Sequence, residues 1–186
     1  MIKIHVGCGK RDFGPEWIHV DGEQYGHTLG SDVTLQDLYS NIGHVIYSSH
    51  LLEYFDREEG LALLKEWHRV LMPGGIVRIA VPDFEGLFEA RLKGFGLDSF
   101  LGPLYGKMPM NDKYIYHKTI YDFNSLKNQL ELAGFKDVRR YDWRKTEHAH
   151  IDDHSVAHLP HDLDAITEHN FTEKHILISL NVEATK

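Results

Sequence analysis

The sequence predicts an α/β fold in which a mostly parallel sheet carries helices on both faces. Three observations lead there. Short apolar runs bounded by turn residues recur through the first half of the chain, as buried parallel strands do. A well-capped helical pattern separates two of these runs, which is the strand–helix–strand order of a parallel sheet. Glycine and polar residues cluster just past each run, where ligands of such sheets collect.

The elements follow in order. Ile2 to Val6 reads as a first strand closed by Gly7-Cys8-Gly9, and Trp17-Ile18-His19-Val20 as a second, ending at Asp21-Gly22. Asp32 to Gln36 is a third, Val45-Ile46-Tyr47 a fourth and Ile76 to Val81 a fifth. Asp56 with Glu59 three residues later forms a capping-box pattern ahead of a helix, which Pro73-Gly74-Gly75 stops. A second helix follows Asp83, with Phe84, Leu87, Phe88 and Leu92 on one face. A third runs from about Ser125 to Ala133, capped by Asn124 and ended by Gly134. Val138 to Tyr141 and Ile176 to Val182 are later strands; the alternation in the last suggests partial exposure or a place near the edge. The stretches 94–121 and 146–173 fit neither pattern and are expected to be covering or substrate-binding segments of a single domain spanning 1–186.

Composition narrows the function classes. The chain has 186 residues, 42% of them hydrophobic, and a formal net charge of −8. Phosphate backbones are bound by clustered Lys and Arg, so an acidic chain argues against a nucleic-acid partner. The basic stretch from Lys136 to Lys145 is interrupted by Asp137 and Asp142 and reads as a solvated surface. One cysteine, Cys8, allows no internal disulfide. No apolar run approaches the ~18 residues of a membrane span, and no signal-peptide pattern opens the chain. The expectation is a cytoplasmic protein without a membrane partner.

The residues after the first two strands speak for a cofactor. Gly7 and Gly9 let a ligand approach the backbone. The dinucleotide fingerprint asks for Gly or Ala at its sixth position, where Asp12 stands, and for an acidic residue ~20 positions further on, whereas Asp21 comes sooner. Pro15 and Gly14 shorten or remove the first helix, leaving no clear helix N-terminus for a pyrophosphate. A cofactor without phosphates fits better, with the Asp21 carboxylate accepting hydrogen bonds from a ribose diol.

The runs His5-Val6-Gly7-Cys8-Gly9, Trp17 to Asp21, Asp37-Leu38, Ile46 to Phe55 and Trp67 to Gly75 resemble class I S-adenosylmethionine-dependent methyltransferases. More narrowly, they resemble a group of small predicted bacterial methyltransferases. The runs His117-Lys118, Leu132 to Phe135 and Ser179 to Ala184 are similar to that group as well, so the resemblance spans nearly the whole chain. It implies a three-layer Rossmann-like sheet of seven strands, the last antiparallel, and S-adenosylmethionine as cofactor. Gly7, Cys8 and Gly9 would lie against its methionine part, Asp21 would hold the ribose, Asp37 and Leu38 would flank the adenine, and Ser49 and His50 would line the pocket. Two positions depart from the pattern. His5 stands near where an acidic residue is common before the glycine loop, and His44 where one often enters the fourth strand.

Methyl transfer to an oxygen or nitrogen often needs a base, and histidine suits that role near neutral pH. His50, after the fourth strand, and His117, in the covering segment, are the candidates among 14 histidines. Phe95, Phe100, Tyr105, Tyr114 and Tyr116 are expected to wall an acceptor pocket, and the relatives suggest a small acceptor with a sugar or glycoside hydroxyl. The run His148, His150, Asp152, Asp153, His154, His158 and His161 has no spacing that fits zinc and is expected to be a solvated loop partly facing the acceptor, so no metal is expected. A nucleotide-sugar oxidoreductase and a cofactor-binding protein without catalysis are the alternatives; the sequence does not fix the oligomeric state.

Overall fold

The computed structural model describes residues 1–23, 25–151, 153–161 and 172–186. Its centre is a seven-stranded sheet built from β1 (Lys3–Val6), β2 (Trp17–Val20), β3 (Thr28–Gly30), β4 (Gly43–Ser49), β5 (Leu71–Pro82), β8 (Lys136–Arg140) and β11 (Ser179–Thr185). Their order across the sheet is β3-β2-β1-β4-β5-β11-β8. Strands β1 to β5 pair in parallel, and β11 runs antiparallel to both of its neighbours. The expected sheet, with its reversed last strand, is present.

The strand faces sort by alternation. The register pairs Ile4 with Ile46 and His5 with Tyr47, so Ile4, Val6 and Ile46 share one face and His5 and Tyr47 the other. On the first face lie α1 (Arg57–Val70) and α4 (Phe123–Ala133), whose Leu64, Trp67, Val70, Leu126 and Leu130 are fully buried in the main core. Asp56 caps α1 as expected: its side chain accepts from the Glu58 and Glu59 amides, while Glu59 reaches back to the Asp56 amide. The helix ends at Val70, three residues before Pro73, because Leu71 already turns to the extended conformation that starts β5. Asp122, not Asn124, caps α4, in a reciprocal pair with Ser125; Gly134 ends it in the left-handed conformation.

The opposite face is covered differently. Among the described residues no α-helix connects β1 to β2, β2 to β3 or β3 to β4. Instead Phe13 stacks between the rings of His5 and His148, over Trp17 and Tyr47. Towards one end, α2 (Phe84–Leu92) and α3 (Asp98–Tyr105) pack a satellite core of Leu87, Ala90, Phe100, Ile176 and Ile178.

Three elements differ from expectation. The third strand is Thr28–Gly30, while Asp32 folds Thr34 and Gln36 into a turn by accepting their amide hydrogens. The final strand breaks at Ile178. Ile176–Leu177 forms β10, paired with β9 (His158–Leu159), and β11 sits in the sheet interior, buried rather than edge-like. In α2 the stripe of Phe84, Phe88 and Leu92 is exposed, and the inward face is Gly86, Leu87 and Ala90. A Cβ at Gly86 would lie 2.3 Å from the Leu177 carbonyl, so only glycine lets the helix come this close.

Candidate functional site

A cleft of about 1150 Å³ opens at the carboxyl ends of β1, β2 and β4. Gly7, Gly9, Asp21, Ser49 and His50 line its floor, and the stretch 102–118 forms its far wall. Gly7 has φ +71°, and a Cβ there would meet Leu51 at 2.9 Å; Gly9 has φ +54°. Gly7 is required by both backbone and space, Gly9 is favoured by its left-handed backbone, and together they bring bare backbone to the cleft surface.

Asp21 organises this floor. One carboxylate oxygen accepts from the Gly9 amide at 2.8 Å, the other from the Glu23 amide at 2.9 Å. Each oxygen keeps a second lone pair for a ligand hydroxyl. Ser49 donates to the Asp153 carbonyl at 2.5 Å. The covering wall reaches back to the same loop. Strands β6 (Met108–Met110) and β7 (Lys113–Ile115) form a hairpin, and the Asn111 amide at its tip donates to Glu23 at 3.3 Å.

The two candidate histidines meet at a buried acid. His50 sits at φ +53°, a conformation sparsely used by side-chain-bearing residues and concentrated at functional sites. Its Nδ1 is 3.2 Å from Oε1 of Glu53, and its Nε2 is 3.2 Å from the Ser179 hydroxyl. His117 also lines the cleft, but its Nδ1 donates to the Pro103 carbonyl at 2.9 Å, and its Nε2 lies 3.8 Å from the same Glu53 oxygen. Glu53 itself is completely buried, and neither carboxylate oxygen has a hydrogen bond of good geometry. Its backbone carbonyl accepts from Lys118 at 2.8 Å, tying the covering segment to the 3-10 turn Leu52–Tyr54.

Other expected site residues fall elsewhere. Asp37 is exposed and Leu38 packs against the main core; neither lines the cleft, where Val33 and Phe55 stand instead. Their segment is folded back by the Asp32 turn and by Arg69, which donates to the carbonyls of Leu35, Gln36 and Leu38. Cys8 is buried beside His27, and burial pushes its thiol up to about 12. Tyr114 and Tyr116 do line the cleft; Phe95 and Phe100 belong to the satellite core, and Tyr105 is exposed outside the cleft lining.

The histidine-rich stretch is only in part the solvated loop expected from its composition: His150, His154 and His161 are exposed. His148, Asp153 and His158 are buried. Asp153 accepts from the Tyr47 hydroxyl and the Ser155 amide, which fixes the backbone that sets His154 in the cleft lining beside Arg11. Asp152 lies outside the described residues. Among the described residues no group of three or more His, Cys, Asp or Glu side chains is placed to hold a metal ion, and no helix is long and apolar enough to cross a membrane. His44, one of the two departures noted in the sequence, accepts from the Ile2 amide at 3.0 Å and so anchors the start of β1.

No family model matches the chain, and no curated protein does. Solved structures do. A methyltransferase from Archaeoglobus fulgidus that depends on S-adenosylmethionine is similar over 100% of this chain and 86% of its own, at 20% identity and a TM-score of 0.59. The fold is that of S-adenosylmethionine-dependent methyltransferases. A possible histamine N-methyltransferase from Thermotoga maritima shares this methyltransferase fold over 99% of this chain and 81% of its own, at 13% identity and a TM-score of 0.58. So does the 1,6-didemethyltoxoflavin-N1-methyltransferase of Burkholderia thailandensis, solved with S-adenosylhomocysteine bound, over 100% of this chain and 70% of its own, at 13% identity and a TM-score of 0.52.

Proposed function

We propose that this protein transfers a methyl group from S-adenosylmethionine to a small-molecule acceptor. One observation carries the reading: within a methyltransferase fold, the cleft floor joins two left-handed glycines to a carboxylate that the glycine loop itself holds in place. The residues fit the cofactor. Gly7 and Gly9 leave room that a Cβ would fill, Asp21 keeps acceptor lone pairs for a ribose diol, and among the described residues no α-helix follows β1 to offer its N-terminus to a pyrophosphate. In this assignment Gly7 and Gly9 hold the methionine part, Asp21 the ribose, and Val33 with Phe55 the adenine. The cofactor supplies an electrophilic methyl group on a sulfonium.

The rest of the cleft serves the acceptor. Its volume exceeds the roughly 300–1,000 Å³ usual for a single ligand, which leaves space for both molecules. Tyr114, Tyr116, Met108 and Met110 offer a flat, adaptable wall, and Tyr rings suit a sugar face. A hydroxyl of a sugar or glycoside is the acceptor we assign. His117, only 6% exposed and anchored through Nδ1 to the Pro103 carbonyl, orients the covering wall, and the more accessible His50, 18% exposed, is the base.

Calorimetry with S-adenosylhomocysteine and NAD tests the cofactor. Binding of S-adenosylhomocysteine without binding of NAD is expected; binding of NAD alone overturns the reading. Detection of S-adenosylhomocysteine formed in the presence of a panel of sugars and glycosides, with amines and carboxylates as controls, tests the acceptor class.

A further inference from the structure

We propose that Glu53 is the positioning residue for His50: it holds the imidazole, in the cleft lining, with its proton on Nδ1, which leaves Nε2 as the proton-accepting nitrogen. This rests on the methyl-transfer reading above. The geometry is a chain of three side chains, with Glu53 Oε1 at 3.2 Å from His50 Nδ1 and His50 Nε2 at 3.2 Å from Ser179 Oγ.

Burial makes the acid's role specific. Glu53 is 0% exposed, and a buried carboxylate without good hydrogen bonds is costly unless it compensates a cation or a donor. Two ring nitrogens approach it among the described residues. His117 is anchored through Nδ1 to the Pro103 carbonyl, which can only accept, and its Nε2 stands off at 3.8 Å. His50 is nearer, and its strained backbone is the means by which the ring reaches the acid while remaining in the cleft lining.

A carboxylate can only accept a hydrogen bond, so an ionised Glu53 selects the Nδ1–H form of His50. Nε2 then carries a lone pair, and the Ser179 hydroxyl donates to it. The connectivity matches a serine–histidine–acid triad, but Ser179 is 1% exposed and cannot serve as a nucleophile. Its hydroxyl instead occupies Nε2 and can rotate away when an acceptor arrives. The proton released by the acceptor hydroxyl passes to Nε2 and then from the imidazolium to water, while the negative Glu53 stabilises the imidazolium across the ring.

Nitrogen-detected NMR of protein labelled with ¹⁵N-histidine reads the tautomer directly, without acceptor or cofactor. His50, assigned by its loss in His50→Gln, is expected as the Nδ1–H form in the wild type. Glu53→Leu removes the acceptor and should convert it to the Nε2–H form, donating to Ser179. Glu53→Gln keeps an acceptor oxygen and should preserve Nδ1–H, as should Ser179→Ala. With the sugar that the panel returns, Glu53→Leu should lower kcat by about 100-fold or more and leave the KM for S-adenosylmethionine within threefold. An Nε2–H form in the wild type, or an unchanged tautomer in a folded Glu53→Leu protein, overturns the assignment. Should Glu53→Leu fail to fold, loss of the Nδ1–H form in Glu53→Gln overturns it instead. Calorimetric binding of S-adenosylhomocysteine is scored separately, so failure of the cofactor reading is distinguishable from failure of this one.

Discussion

A Cβ on Gly106 would lie 1.9 Å from Nε2 of His117. The two residues therefore fix each other: Gly106 ends α3 in the left-handed conformation, and His117 fills the space its missing side chain leaves. Gly106→Ala should force the imidazole off Glu53 and the Pro103 carbonyl, destabilising the fold by roughly 1–3 kcal/mol. Urea unfolding measures this. A change below about 0.5 kcal/mol would mean that the covering segment shifts freely.

Asp21 has two tasks, and its removal should show both. Asp21→Ala is expected to weaken S-adenosylhomocysteine binding by roughly 1.5–3 kcal/mol, the range for a lost hydrogen bond to a charged group. It should also release the Gly9 and Glu23 amides, which hydrogen exchange would report as faster exchange at both positions. Unchanged affinity in a folded variant would reduce Asp21 to a loop anchor.

The Cys8 thiol, pushed up to about 12 mainly by burial and then by the nearby Asp21 charge, should stay protonated at ordinary pH. Ellman's reagent at pH 8 should leave the native protein unmodified for hours and titrate one thiol after denaturation. Rapid native reaction that S-adenosylhomocysteine blocks would instead put the sulfur in the cleft.

Stability should fall on the acid side of neutrality. Burial, reinforced by neighbouring histidines, holds His5 well below its ordinary value, and burial lowers His148 to about 4. The unfolded chain takes up these protons near pH 6.5, while the folded chain refuses them until far lower pH. Stability is thus full above pH 6.5 and declines towards pH 4, with His148 contributing on the order of 3 kcal/mol. His148→Gln should flatten the dependence of melting temperature on pH between 7 and 5; an unchanged slope would assign the proton uptake to other groups.

Tyr47 donates to Asp153, whose carbonyl in turn receives Ser49. Tyr47→Phe leaves a buried carboxylate short of a partner and should cost about 1–3 kcal/mol. A crystal structure of the variant should show His154 displaced from the cleft; an unmoved His154 would mean that Ser49 and Ser155 suffice to hold the segment.

What the sequence disclosed was whatever local chemistry determines. Asp56 and Glu59 announce α1 because capping is settled within four residues, and the strands β1, β2, β4 and β5 show because they are apolar and end in turns. The third strand was hidden because Thr28–Gly30 is a short edge element with little apolar content, while Val33 and Leu35 alternate like a strand inside a turn. The face of α2 is illegible in the sequence for a different reason. Phe84, Phe88 and Leu92 have the right period, but Gly86 and Ala90, the small residues, allow close approach and so face inward. At the site, Gly7, Gly9, Asp21, Ser49, His50 and His117 reach the cleft, because each follows a strand end or sits in the covering segment. Glu53 is not singled out by the sequence, and His154 appears there only as one member of a run expected in part to face the acceptor. A lone acid in the run Leu51-Leu52-Glu53-Tyr54-Phe55 was the available signal for the first; the second depends on a pairing between β4 and Asp153 that no local pattern encodes.

The insertion of β11 between β5 and β8 bears on how the chain is made. A nascent chain held on the ribosome before Ser179 has emerged carries two strands with no bridge between them: Pro82 to Ile76 lack their partners, and so do Arg140 and Arg139. The half-sheet β3-β2-β1-β4-β5 can assemble during synthesis, but its growing edge stays open until the last strand arrives, which invites edge-to-edge aggregation. Polypeptides that lack Ser179 to Thr185 should therefore bind holdase chaperones, and restoring that segment should complete the sheet in one step.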